Sequence, residues 1–192
     1  MNMDIDSKNI SKGSPNIKTD EKIIKHIELK VEKIVDTNLE ICKPQILTDP
    51  NLINSIYTFI QRFPLDYPDY TLWLLKCKRE LELNYKHTVY ITNSEGIIIG
   101  TLIFQKHKQE PQILELKNLR VHPLFENKKI GKKLIRTVEQ FAIENGFKRI
   151  QGDAHSDNPV IQFMIKMGYQ IECEETLYNT KKESILYKDI KT

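Results

Sequence analysis

Leu119-Arg120-Val121-His122-Pro123-Leu124-Phe125-Glu126-Asn127-Lys128-Lys129-Ile130-Gly131-Lys132-Lys133-Leu134 runs from a strand, through a short loop, into a helix with a glycine in its first turn. Residues 113–121 alternate as a strand does. From Lys129 the period becomes helical: Ile130, Leu134, Val138, Phe141 and Ala142 share one stripe, and Gly146 closes it. Unpaired N–H groups and the positive dipole end make a helix N-terminus attractive to anions. Lys128, Lys129, Lys132, Lys133 and Arg136 nevertheless crowd that end. The dipole repels them, so an anion is expected among them, while a solvated basic helix face is the plainer alternative. Gly131 would let a ligand approach the backbone closely. A nucleotide P-loop is excluded, because Lys133 follows Gly131-Lys132 where Ser or Thr is needed, and the upstream glycine is absent.

Working outward, Leu39-Glu40-Ile41-Cys42 alternates as a strand. Asp49-Pro50 supplies a cap and a first-turn proline for a helix that turns Leu52, Ile53, Ile56, Phe59 and Ile60 to one side. Two prolines make Phe63–Tyr70 a loop. A second helix follows, with Leu72, Trp73, Leu75, Cys77 and Leu81 as its apolar positions. Strands are expected at 87–92, 97–105 and 113–121, joined by turns into an antiparallel meander. After the helix that begins at Lys129 come a strand at 148–154, a helix opened by Asp157-Asn158-Pro159 and ended by Gly168, and closing strands at 169–173 and 184–190. The order β-α-α-β-β-β-α-β-α-β-β means α/β: a mixed, mostly antiparallel twisted sheet of about seven strands flanked by about four helices, with one parallel crossover.

The 192 residues, 40% hydrophobic and 29% charged, suffice for one such domain. Residues 1–20 are polar and read as a disordered leader, 21–38 as an accessory segment, and 39–192 as the domain. A net charge of +3 is too small to mark a nucleic-acid binder by itself. The three cysteines form no C-x-x-C pair, and the five histidines are scattered, so neither a disulfide framework nor a metal site is expected. No secretory signal or membrane span is visible, which points to a cytoplasmic protein.

Leu119-Arg120-Val121-His122-Pro123, Ile130-Gly131-Lys132-Lys133-Leu134-Ile135, Asp157-Asn158-Pro159 and Phe163-Met164-Ile165-Lys166-Met167-Gly168-Tyr169 together resemble the GCN5-related N-acetyltransferase (GNAT) family over residues 39–190. The family's pyrophosphate pattern, R/Q-x-x-G-x-G/A, falls on Glu126–Gly131, with Glu126 at the Arg/Gln position and Lys129 at the first glycine. The resemblance implies acetyl-CoA as co-substrate and an amine as acceptor, which attacks the thioester directly. It implies that Leu119, Arg120 and Val121 hold the pantetheine, that Asn127, Lys128, Lys129, Ile130, Gly131, Lys132 and Lys133 take the pyrophosphate, and that Asn158 contacts the cofactor arm. It further implies Glu115 as general base. His155 is positioned to relay a proton near neutral pH, and Tyr67 and Tyr70, with Asp66 and Asp69, give the acceptor loop an acidic, aromatic character. Met164 stands where the family commonly has a proton-donating tyrosine.

Strand alternation places Glu115 on one face with Lys117, Leu119 and Val121. A carboxylate merely paired with a lysine is the structural alternative. The leading expectation is an N-acetyltransferase acting on a primary amine. A catalytically degenerate acyl-CoA-binding regulatory module and a tRNA-directed acetyltransferase toxin are the other two readings, and a homodimer is compatible with each.

Overall fold

The computed structural model describes residues 42–177 and 181–190. The expected leader, the accessory segment and Leu39–Ile41 of the expected first strand lie outside the described residues. The first described strand, β1, is Gln45–Ile46, although Cys42 N already donates to Thr92 O at 3.0 Å. A 3-10 turn at Pro50–Leu52 then leads into α1 (Ile53–Arg62), and the Asp49 carboxylate accepts from Asn51 N at 2.9 Å. Helix α2 is Tyr70–Glu82, followed by β2 (His87–Thr92), β3 (Ile98–Lys106) and β4 (Ile113–Val121). The remainder is α3 (Ile130–Glu144), β5 (Arg149–His155), α4 (Val160–Lys166), β6 (Gln170–Glu175) and β7 (Glu183–Asp189). The order of elements is the one expected from the sequence.

The seven strands form one sheet in the order β1-β2-β3-β4-β5-β7-β6, antiparallel except for the β4–β5 pair. Helices α1 and α2 cover one face, where Ile56, Phe59, Ile60, Leu74, Cys77 and Leu81 pack with Tyr90 and Ile103. Helix α3 covers the other. The face expected for α2 is corrected: Leu74, Cys77 and Leu81 are buried, whereas Leu72 and Leu75 are 64% and 54% exposed. Leu74, Cys77 and Leu81 recur at the i, i+3, i+7 spacing of a single stripe, and the leucines at 72 and 75 belong to a neighbouring one.

Between β3 and β4 the register slips. Ile103 opposes Asn118 and Phe104 opposes Leu116, leaving Lys117 as the extra residue of a β-bulge. Cross-strand partners project to the same face, so the slip exchanges the faces on its two sides. Glu115, opposite Gln105, therefore shares the α1/α2 face with Asn118 and Arg120. The expectation that Glu115 shares a face with Leu119 and Val121 is overturned, because simple alternation does not survive a bulge.

Parallel pairing of β4 with β5 runs from Ile113↔Arg149 to Leu116↔Gly152. It ends where the bulge begins. Beyond that point β4 stays with β3 and β5 stays with β7, which still pairs as far as His155↔Glu183. The sheet splays open between Lys117–Val121 and Asp153–His155.

Helix α3 meets the sheet closely at its first turn. A Cβ added to Gly100 on β3 would lie 2.6 Å from Ile130 Cγ2 and 3.2 Å from Leu134 Cδ1. Both neighbours are fully buried and have nowhere to go. Gly100→Ala should cost roughly 1–3 kcal/mol of unfolding free energy through overpacking. Denaturant titration checks this, and an unchanged midpoint would show that α3 can lift off the sheet freely.

Candidate functional site

The splay is one wall of a cavity of about 860 Å³. Strand β4 contributes Leu116 to Val121, and β5 contributes Gly152, Asp153 and Ala154. The loop between α1 and α2 supplies Phe63 to Leu65 and Tyr67 to Tyr70, and Asn158 and Met164 complete the lining. The direction of the β4 backbone follows from one bond: His122 N donates to Ile99 O at 2.9 Å. Amides of an antiparallel ladder alternate sides, so Arg120 and Asn118 turn theirs to β3, and Leu119 and Val121 turn theirs into the gap that β5 has left.

The loop after β4 is built for the entry to α3. His122 Nδ1 accepts from Leu124 N at 3.2 Å, fixing a 3-10 turn at Pro123–Phe125 whose Phe125 is buried. Asn127 and Lys129 then both adopt left-handed conformations, each with φ of 60°. Lys129 holds the backbone shape of the glycine it replaces in the expected pattern. Gly131 has no positive φ, and a Cβ there would meet Phe163 of α4 at an ordinary 3.5 Å. No side chain caps α3, so its first N–H groups face outward beside Lys128, Lys129, Lys132 and Lys133, all exposed. Arg136 is paired with Glu139 at 2.7 Å. Among the described residues no carboxylate forms an ion pair with any of the four lysines.

The acceptor-side residues are linked across the loop. Tyr67 stacks on His155 with ring centroids 4.4 Å apart, and its hydroxyl donates to Glu183 Oε2 at 3.2 Å. His155 Nδ1 lies 2.5 Å from Glu183 Oε1, in contact with that carboxylate, while Nε2 lies 3.2 Å from Asp66 O. His155 thus sits behind Tyr67 rather than on the cavity wall. Asp66 is exposed and paired with Lys181 at 3.0 Å, which lowers its pKa. Burial raises the Glu183 pKa, against the lowering effect of His155 and the Tyr67 bond.

Glu115 is placed apart from these groups. Its Oε2 accepts from Gln105 Nε2 at 2.7 Å, and its other oxygen is ion-paired with Lys117. Gln105 in turn accepts from Lys86 Nζ at 2.5 Å, and Lys86 pairs with Glu80 at 2.9 Å. This chain of partners lines a second cavity of about 560 Å³. Asp153, on the main cavity wall, was not singled out in the sequence. Burial raises its pKa, Lys117 lowers it, and Glu115 raises it further. Period-two alternation from His155 was the signal that could have found it; Glu183 had none, being brought in by the pairing of β5 with β7.

Two more features concern Arg120 and the tyrosines. The Arg120 side chain leaves the gap: Nε donates to Phe63 O at 2.9 Å and Nη1 to Leu119 O at 2.6 Å. Tyr70 stacks on Trp73 with centroids 5.5 Å apart, and burial raises the pKa of its phenol. Tyr169 is 2% exposed, so it belongs to the core, and Met164, 5% exposed, faces the cavity without a proton to give.

Residues 53–169 match the model of the acetyltransferase (GNAT) family. Solved structures share the fold. A GNAT-family protein from Desulfovibrio desulfuricans superposes with a TM-score of 0.68 at 12% identity, covering 79% of this chain and 99% of that one. The ribosomal-protein-S18-alanine N-acetyltransferase of Escherichia coli gives 0.60 at 14%, covering 78% and 95%. Ard1 from Thermoplasma volcanium gives 0.62 at 17%, covering 79% and 100%. The search among curated proteins finds no match.

A left-handed backbone costs a non-glycine residue about 1–2 kcal/mol. Lys129→Gly should therefore stabilise the fold by roughly 1 kcal/mol, read as a raised unfolding midpoint. A lowered midpoint would mean that the Lys129 side chain itself holds the loop.

Proposed function

Because the chain belongs to the acetyltransferase (GNAT) family, we propose that it transfers an acetyl group from acetyl-CoA to a primary amine by direct attack. The observation that carries this reading is the splay of β4 from β5, which leaves two backbone amides facing a cavity whose lining reaches Glu126, four residues before the uncapped, lysine-ringed N-terminus of α3. These residues fit the co-substrate. A pantetheine arm is an extended chain of amides, matched by Leu119 and Val121 as a neighbouring strand would be. A pyrophosphate is matched by the outward N–H groups from Asn127 to Lys132 and by the four lysines. Asn158 uses its Oδ1 to accept from Val160 N at 2.9 Å and presents the rest of its side chain to the cavity.

Bound acetyl-CoA supplies the activated thioester carbonyl. Around it the chain has three tasks: to hold the carbonyl, to donate to the oxygen on which charge develops, and to take a proton from the attacking amine. The cleft-facing amides on β4 perform the first two. For the third, Glu115 is the family-derived choice, but its carboxylate is occupied by Gln105 and Lys117 beside another cavity. Asp153 is on the wall itself and held toward neutrality by burial, which suits a base. His155 and Glu183 stand behind Tyr67 to relay the proton onward. Departure needs little help, since a free thiol ionises near about 8.5 and takes its proton from water. Met164 in the tyrosine position therefore slows turnover without preventing it. The free thiols of Cys42, Cys77 and Cys173 accord with a cytoplasmic location.

Thiol release from acetyl-CoA with a panel of amines, alongside calorimetric titration of acetyl-CoA, tests the function. Binding without thiol release from any amine would leave an acyl-CoA-binding module in its place. Asp153→Asn should lower kcat by about 10²-fold or more at neutral pH, the usual worth of a general base. The deficit should shrink as pH rises toward the pKa of the acceptor amine, where the free amine no longer needs a base. A constant deficit across pH would give the role to another group, and Glu115→Gln in the same series shows whether it is Glu115.

A further inference from the structure

We propose that the acceptor amine also carries a carboxylate, a free α-amino acid being its chemical class, and that Arg120, Asn118 and Tyr70 bind that carboxylate. The inference rests on the acetyl-transfer reading and narrows its acceptor.

Two buried or half-buried cations of this protein have carboxylate partners: Lys86 has Glu80 at 2.9 Å and Lys188 has Glu139 at 2.9 Å. Arg120 differs from them. Its guanidinium is fixed by two backbone carbonyls, Phe63 O and Leu119 O, and no carboxylate among the described residues forms an ion pair with it. The group that most offsets its burial is the Tyr70 phenol, which burial keeps neutral. A buried charge without a counter-charge is costly, and natural sites resolve it with a partner or a ligand.

The neighbouring polar groups point the same way. Arg120 Nη2, the Tyr70 hydroxyl and both amide atoms of Asn118 are buried together: the phenol interacts with both Arg120 and Asn118, yet none of these atoms completes a well-aligned hydrogen bond. Asn118 is only 3% exposed, yet it lines the main cavity together with Tyr70 and Arg120. One guanidinium with a hydroxyl and an amide suits a singly charged, planar acceptor of hydrogen bonds.

The opposite wall carries the complementary charge. Asp153 faces the cavity from β5, and the Glu183–His155 pair stands behind Tyr67. Leu65, Leu72 and Trp73 line the same cavity and suit an apolar side chain. A cation on one strand, a carboxylate on the other and apolar surface in the same cavity form the complement of an amino acid.

The test compares the common α-amino acids with their own amides, and phenylalanine and leucine also with their decarboxylated amines, by thiol release from acetyl-CoA. The free acids should be favoured in kcat/KM by roughly 100-fold or more, because each analogue leaves buried donors unpaired. Arg120→Gln and Tyr70→Phe should shrink that ratio, the second without disturbing the Phe63 contact. Acetylation that ignores the carboxylate would overturn the proposal and leave acetyl transfer standing. Calorimetric titration with N-acetylphenylalanine and its amide reads the anion site without turnover. Tight binding of the acid alone, with no thiol released from any amine, would keep the anion site and sink acetyl transfer. Equal binding of acid and amide would overturn the anion site.

Discussion

One extra residue in β4 governs this molecule. Lys117 has no partner across the sheet, and around it the strand bends and exchanges its faces. Because β4 turns away there, β5 cannot follow it past Gly152. The amides of Leu119 and Val121 then face a gap instead of a ladder, and burying them unpaired would be expensive. An extended amide-bearing ligand is the natural occupant. The same bulge decides which side chains look where: it brings Glu115, Asn118 and Arg120 to the α1/α2 face, where Glu115 joins Gln105 and Lys117 in a network of its own.

The elements were legible because they depend on local pattern. Alternation marked the meander, the 3.6-residue stripe of Ile130, Leu134, Val138 and Ala142 marked α3, and Gly146 and Gly168 end their helices at φ of 73° and 91°. The family resemblance singled out β4 and the loop after it, on which the proposed cofactor site rests. What escaped was whatever depends on counting residues against a distant strand. A bulge leaves no trace in the period of β4 alone, so Glu115 was put on the wrong face. Glu183 is far along the chain, and only the β5–β7 register brings it to His155. Helix α2 was misread for a related reason: its leucines at 72, 74 and 75 offer two stripes, and tertiary packing chose one.

The modest net charge of +3 conceals a strong internal polarity. Four lysines without ion-pair partners gather around the start of α3, outside the cavity mouth. Asp153 and Glu183 lie at the acceptor end with pKa values raised by burial. An anionic tail and a basic amine would each be drawn to the correct end by this arrangement. Glu126, a carboxylate at the cavity edge where the family has Arg or Gln, works against the first of these, and the lysines outnumber it.

The loop from Phe63 to Tyr70 spans the opening that the sheet leaves. On one side Arg120 grips Phe63 O; on the other, His155 contacts Asp66 O, Tyr67 bonds Glu183, and Lys181 pairs with Asp66. The two halves of the split sheet are thus braced at both ends, by the four-pair ladder below and by this tie-beam above. Load carried across the missing rungs passes through residues 63–67, all of which but Asp66 also line the cavity. A molecule wedged between Arg120 and Asp153 would strain or relax that beam, so occupancy of the site and stiffness of the whole sheet become one mechanical quantity.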